Sequence, residues 1–409
     1  MIKSIDKVKV AGRRVIVRAG FDVPLKKNAH TDEREVVDDT RIRNALPTLQ
    51  YLIDQKAKII ILAKLGRPEG KWDMELSSWP VALALGKLLN YKTVKIKDRL
   101  PDYDVNHIFF LSEDITKHDY SELSKKIPNG SILYLENMFF YPGEEECDEK
   151  FAHVLKKFGD VYVEEAFASA HHKAASNYNL PKEMPAYAGI SLLKEINSLH
   201  RVMKRPQNPF VVIMGGIKIE DKVETLKNLA ENATHIIVGG GIANTFLKAQ
   251  GFEVGKSKIS DIKTAKELIR NYKHKIILPV DVVVAHHEMG LPRAVNIENV
   301  KANDMILDVG PKSIRKYSTI FKNAKTLVWN GPFGILENPH FAHGSKAIAL
   351  MFAARSKGKA FGVVGGGETL EAINKAKVGE FIDHLSMGGG AMLEFLAGKT
   401  LPGIKVLEK

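Results

Sequence analysis

Short aliphatic runs alternate along the chain with amphipathic stretches of helical length, a pattern that predicts βα repetition and parallel sheets. In the first half, Arg14 to Arg18, Lys58 to Ala63, Ser131 to Glu136 and Asp160 to Glu164 read as strands. Apolar residues recur at helical spacing near Thr40 to Gln55, Ser78 to Asn90 and Asp148 to Phe158. In the second half, strands are expected at Phe210 to Met214, His235 to Val238, Lys275 to Val280, Met305 to Val309, Thr326 to Trp329 and Phe361 to Val364. The expected fold class is α/β with two sheets. Between the halves, prolines at 181, 185, 206 and 209 bracket a helical segment, Ile190 to Lys204, which reads as a helix connecting two lobes.

The 409 residues suit two or three domains at about 150 residues each, and two is the expectation. Hydrophobic residues make up 44% and charged residues 26%, which excludes disordered, collagen-like and coiled-coil classes. The longest apolar runs, such as Ile59 to Ala63 and Val282 to Ala285, fall far short of the roughly 18 residues a membrane span needs, so no membrane partner is expected. Cys147 is the one cysteine, so an intramolecular disulfide is excluded. The stretch Met1 to Val10 has no apolar signal-peptide core, and a cytoplasmic location is expected. Lys plus Arg (60) exceeds Asp plus Glu (48), and the net charge of +12 favours anionic partners. The basic residues are spread, and the densest stretch, Lys256 to Lys275, is interleaved with acids at helical spacing. That pattern reads as a solvated helix face, so the expected anions are phosphorylated metabolites and no nucleic acid.

Ligands of open parallel sheets bind beyond the carboxyl ends of the strands. There the second half carries Gly215-Gly216-Ile217-Lys218, Gly239-Gly240-Gly241, Trp329-Asn330-Gly331-Pro332 and Gly365-Gly366-Gly367-Glu368-Thr369, with Gly388-Gly389-Gly390 near the C-terminus. Glycines at strand-to-helix junctions let main-chain amides and helix N-termini approach a phosphate. Neither a Walker A loop nor a convincing dinucleotide fingerprint is present. Lys218 and Lys222, four apart after a strand, are expected to project from one helical face toward such a ligand, and Glu368 is the candidate Mg2+ ligand. In the first half Arg41, Lys64, Arg67 and Lys173 form a candidate cationic patch for a small doubly anionic molecule. His171-His172 and His286-His287-Glu288 lack zinc-site geometry, the first because adjacent side chains are expected to diverge. Cys147 lies in an acidic run expected to raise its pKa, which argues against a nucleophile.

In order and spacing, these strings resemble the phosphoglycerate kinase family. The strings are Gly215 to Lys218 with Asp221-Lys222, Gly239 to Phe246, Leu278 to Asp281, Asp308 to Lys312, Trp329 to Pro332, Gly365 to Thr369 and Gly388 to Ala391. Leu62 to Pro68, Ala45 to Thr48 and Leu135 to Asn137 support the resemblance in the first half. It implies two Rossmann-like lobes with parallel sheets joined by a helix, with the C-terminus returning to the N-terminal lobe. The expected boundaries are 1–185 for the 3-phosphoglycerate domain, 186–205 for the interdomain helix, 206–385 for the nucleotide domain and 386–409 for the return segment. Closure about a hinge, a monomer, and transfer of a phosphoryl group between ATP and the carboxylate of 3-phosphoglycerate in glycolysis are also implied. By the same resemblance Arg41, Lys218 and Lys222 are catalytic. Nucleotide binding falls to Lys222, Gly239, Gly240, Asn330, Glu337, Gly366, Gly367, Glu368 and Thr369, and Mg2+ to Glu368.

The implied acceptor residues are Gly20, Phe21, Asp22, Lys64, Leu65, Gly66, Arg67, Phe139 and His172, and several depart from the family. Where the family has Arg-x-Asp-x-Asn-x-Pro, this chain has Arg18-Ala19-Gly20-Phe21-Asp22-Val23-Pro24. Lys64 stands where a histidine is expected, and Phe139 and His172 stand where arginines are expected. Each charge-assisted contact to phosphate contributes about 1.5 to 3 kcal/mol. Two lost arginines therefore predict roughly a hundred- to ten-thousandfold weaker phosphate binding, unless Lys64 and Lys173 substitute in part. Three readings follow: a phosphoglycerate kinase with compensating contacts, a nucleotide-binding paralogue with little catalysis, or a kinase for another small anionic carboxylate.

Overall fold

The computed structural model describes residues 2–28, 33–102 and 106–408, so Met1 of the N-terminal stretch and Lys409 lie outside it. The chain forms two compact units, residues 1–195 with 400–409, and residues 196–399.

The strands of the first unit are β1 (Arg14–Ala19), β2 (Leu25–Lys27), β3 (Arg34–Val36), β4 (Lys58–Ala63), β5 (Lys92–Ile96), β6 (His107–Leu111), β7 (Ile132–Leu135), β8 (Val161–Glu164) and β9 (Ala186–Ala188). Seven of them make one parallel sheet in the order β5-β6-β7-β4-β1-β8-β9, while β2 and β3 form a separate antiparallel hairpin. β1 and β4 are almost wholly buried along their length, as central parallel strands covered on both faces must be. The helix Thr40–Asp54 buries Ile42, Ala45, Leu49 and Leu52, the stripe that its 3.6-residue period predicts. Strand order reverses between β1 and β8, so Gly20 and Ala166 meet at a topological switch point. A Cβ on Gly20 would lie 3.4 Å from the Ala166 Cα.

The second unit holds β10 (Phe210–Met214), β11 (His235–Val238), β12 (Ile276–Ile277), β13 (Asp281–Ala285), β14 (Arg293–Asn296), β15 (Met305–Val309), β16 (Thr326–Asn330), β17 (Phe361–Gly365) and β18 (His384–Ser386). Its parallel sheet runs β12-β11-β10-β16-β17-β18 and reverses between β10 and β16. Met305 to Val309 is a strand but not a member of that sheet. With β13 and β14 it forms a three-stranded antiparallel sheet in the order β14-β13-β15. The expected two sheets are thus accompanied by two smaller antiparallel ones. The strand expected over Lys275 to Val280 shortens to Ile276–Ile277, because Pro279 has no main-chain N–H to give a ladder and Asp281 already begins β13.

The helix Ile190–Lys204 is present, and the division between the units falls inside it. Buried Glu165 accepts from the Ser191 and Leu192 amides at 3.2 Å each and from the Thr48 hydroxyl at 2.8 Å, placing a carboxyl group at that helix's N-terminus. Burial pushes this carboxyl up to about 7. The helix Gly390–Leu396 stays with the second unit: its Leu393 and Leu396 carbonyls accept from Thr225 and Asn228. Residues 400–409 join the first unit, where Leu401, Ile404 and Leu407 are buried and the Gly403 amide donates to the Ala170 carbonyl at 2.9 Å. No helix among the described residues is long and apolar enough to cross a membrane.

Candidate active site

At the switch point of the second unit the loops after β10 and β16 are laced together through main-chain groups. The Gly215 amide donates to the Asn330 carbonyl, and the Gly216 amide to the Pro332 carbonyl, each at 2.9 Å. The approach is so close that a Cβ on Gly215 would sit 2.2 Å from the Pro332 oxygen. Gly239 caps the helix Gly240–Ala249, and Gly366, at φ 98°, caps Gly367–Ala376. Two helix N-termini therefore open at this sheet edge, each a partial positive charge with unsatisfied amides.

These loops border a cavity of about 350 Å3 lined by Gly216, Gly240, Pro332, Glu337, Glu368 and their neighbours. Of the expected nucleotide residues, Gly240, Glu337 and Glu368 line it directly. Asn330 and Thr369 are buried and brace the loops: Asn330 Nδ2 donates to the Gly365 carbonyl at 2.8 Å, and the Gly331 amide donates to Thr369 Oγ1 at 2.7 Å. Gly239, Gly366 and Gly367 shape the backbone around it.

Lys218 and Lys222 do not share a helical turn, because the helix begins only at Val223 and Lys222 is its N-cap. The segment between them is irregular. Ile219 is buried, and its amide is held by the Ser260 hydroxyl, so Lys218 is left on an exposed loop. Lys222 Nζ donates to the Gly215 carbonyl at 2.7 Å. Burial pulls its pKa down to about 8 against the opposing attraction of Glu368 and Asp221. A basic group beside glycine loops, with a charge made labile by burial, is what an incoming phosphate would stabilise. Glu368 is exposed in the first turn of Gly367–Ala376 and lies near enough to Lys222 to raise its pKa. That placement fits Mg2+, which takes one or two carboxylates together with phosphate oxygens and water rather than a protein cage. Among the described residues, no three His, Cys, Asp or Glu side chains group as a metal site.

Sequence reasoning missed several cavity residues. Lys258 and Glu288 line it and pair at 3.2 Å, although they lie thirty positions apart. Asp308, also in the lining, accepts from the Val309 and Gly344 amides at 2.8 Å each, and burial raises its carboxyl to about 7. Its motif, Asp308 to Lys312, carried the only usable signal.

In the first unit, the expected acceptor residues Asp22, Lys64, Gly66 and Phe139 come together with Arg41, the expected catalytic cation. Asp22 Oδ2 lies 2.8 Å from Lys64 Nζ, its Oδ1 accepts from the Gly66 amide at 3.0 Å, and its main-chain oxygen accepts from Arg41 Nη1 at 2.7 Å. Lys64 Nζ stands 5.0 Å above the centre of the Phe139 ring. Burial alone would raise the Asp22 carboxyl, but Lys64, the Gly66 amide and Arg41 hold it below the ordinary range. Phe21 is fully buried in the core, and Leu65 is fixed by Asn137, which accepts from its amide and donates to its carbonyl. Gly20 marks the switch point. Arg67, His172 and Lys173 are exposed, with the Lys173 ammonium 4.9 Å from the Tyr178 ring centre.

Two smaller expectations are corrected. The His171 and His172 rings lie 3.8 Å apart rather than diverging, because a tight turn follows the short helix Phe167–Ser169. The Cys147 thiol is indeed raised, but burial is the leading cause and the neighbouring acid Glu144 only adds to it.

The phosphoglycerate kinase family model matches residues 5–399. The chain belongs to this family. A phosphoglycerate kinase of Desulfosudis oleivorans is 41% identical over 416 residues, covering 100% of this chain and 99% of that one. One of Borreliella afzelii is 38% identical, covering both in full. The solved phosphoglycerate kinase of Coxiella burnetii superposes with a TM-score of 0.84 at 36% identity, covering 100% of this chain and 99% of that one. That of Pyrococcus horikoshii gives 0.81 at 28%, covering 100% and 98%. Family membership identifies a phosphotransferase with two Rossmann-like lobes.

Proposed function

We propose that this chain catalyses reversible phosphoryl transfer between ATP and the carboxylate of 3-phosphoglycerate, the glycolytic reaction of its family. The observation that carries the reading is the lacing of the Gly215, Gly331 and Gly366 loops around one cavity, with Lys222 on their carbonyl face. In the ATP-forming direction, a β-phosphate oxygen of ADP attacks the 1-phosphorus of 1,3-bisphosphoglycerate. The bond from phosphorus to the carboxyl oxygen breaks, and the carboxylate leaves with its electron pair.

Such a transfer needs positioning and charge neutralisation rather than a covalent intermediate. Main-chain amides at Gly240 and Gly367 hold nucleotide phosphates, Glu337 reaches the ribose, and Lys222 and Lys218 take charge from the moving group. Glu368 would hold Mg2+, which would supply charge neutralisation for the phosphates. Arg41, Lys64 and Arg67 of the first unit serve the acceptor, with Arg41 directed to the transferring phosphoryl. We place the protein in the cytoplasm as a monomer.

The test is ADP-dependent turnover of 1,3-bisphosphoglycerate by the full chain. Lys222→Ala is expected to lower it by at least about a hundredfold, in line with the loss of one charge-stabilising donor. Equal activity in the two proteins would refute the assignment.

A further inference from the structure

We propose that Asp22 is a specificity-determining residue of the acceptor subsite, a built-in carboxylate that competes with the acceptor's anionic groups for Lys64 and the Gly66 amide. The inference rests on the first unit being the acceptor unit.

A cation and a main-chain amide converging on one point form a recognition unit for carboxylate or phosphate. The turn after β4 offers that pair, Lys64 Nζ and Gly66 N–H, and Asp22 already fills it at 2.8 and 3.0 Å. Arg41 is tied to the same residue through its main-chain oxygen at 2.7 Å. On its other side Lys64 faces the Phe139 ring, which offers an attractive π-face but no hydrogen-bond donor for an anion. An anion arriving here must displace the Asp22 carboxylate or bind beside its fixed negative charge. Lys64 therefore serves an acceptor anion only by exchanging its Asp22 contact for it, which weakens binding relative to a free cation at this position. The side chains are 30% and 22% exposed, so solvent does not screen the pair away and an incoming ligand can still reach it.

The experiment is calorimetric titration of the full-length chain, Asp22→Asn and Asp22→Asn/Lys64→Met with 3-phosphoglycerate, at low salt and at 0.5 M KCl taken as roughly threefold compression of the screening length. Asparagine retains an oxygen for the Gly66 amide, and thermal melts verify that each variant folds. Asp22→Asn is expected to bind 3-phosphoglycerate about tenfold more tightly. The gain should shrink in salt and vanish in the double variant. Unchanged or weaker affinity in Asp22→Asn, or a gain that persists without Lys64, would overturn the proposal. Turnover is read separately: a tenfold gain in a chain without turnover refutes the kinase reading alone, whereas turnover with no gain refutes this inference alone.

Discussion

Lys222 sits where burial and charge pull in opposite directions, and that makes its protonation a probe of the proposed nucleotide site. With its pKa lowered to about 8, the free protein loses this positive charge as the pH rises from 7 to 9. A bound phosphate favours the protonated form, so the complex keeps the proton to a higher pH. The ADP dissociation constant is therefore expected to rise toward tenfold per pH unit above 8, and to stay flat over the same range in Lys222→Met. Titration calorimetry at fixed ionic strength checks this. Lys222 was legible as a candidate because of its distance from the glycines. Its depressed pKa was not, because burial arises from Gly215 and Gly331 closing over it. The same holds for Asp22 and Lys64: the sequence shows both residues, but their 2.8 Å contact joins the ends of two strands forty-two positions apart.

Elements buried on both faces were the easiest to read. β1, β4, β10 and β16 each carry an uninterrupted apolar stretch of at least three residues, and each lies within two residues of its expected ends. The edge strand β5, Lys92–Ile96, carries Lys92, Thr93 and Lys95 among its five residues and has only one buried position, so its pattern resembles an exposed loop. β13 and β15 are no less aliphatic than their parallel neighbours, and composition alone does not reveal that they pair antiparallel. The glycine loops belong to this scale too, because each is a junction rather than a side chain. In Gly215→Ala the new methyl would meet the Pro332 oxygen at 2.2 Å and force the β10 and β16 loops apart. A stability loss of about 1 to 3 kcal/mol is expected in urea unfolding, together with weakened ADP binding. Wild-type ADP affinity in a destabilised variant would show that the two loops need not touch to hold the nucleotide.

The molecule as a whole is two cores, and the chain's last ten residues belong to the first one rather than to the unit that precedes them. Leu401, Ile404 and Leu407 are buried there. Ending the chain at Lys399 removes all three, at a cost of roughly 5 kcal/mol when each side chain contributes at least about 1.5. The shortened protein is expected to show a lower first-unit transition in calorimetry while retaining ADP affinity, since the cavity residues all lie in the second unit. Equal loss of both properties would mean that the cores are not energetically separate. From the sequence alone came the α/β class, the parallel sheets, the connecting helix and the glycine junctions. All of these follow from local periodicity and from the conformations that glycine and proline permit or forbid. Tertiary structure decided which loops touch, which carboxyls are raised by burial, how Lys222 came to lie beneath a glycine turn and which partner Lys64 holds. Those properties depend on distances between residues remote in the chain, and such distances exist only once the sheets have assembled.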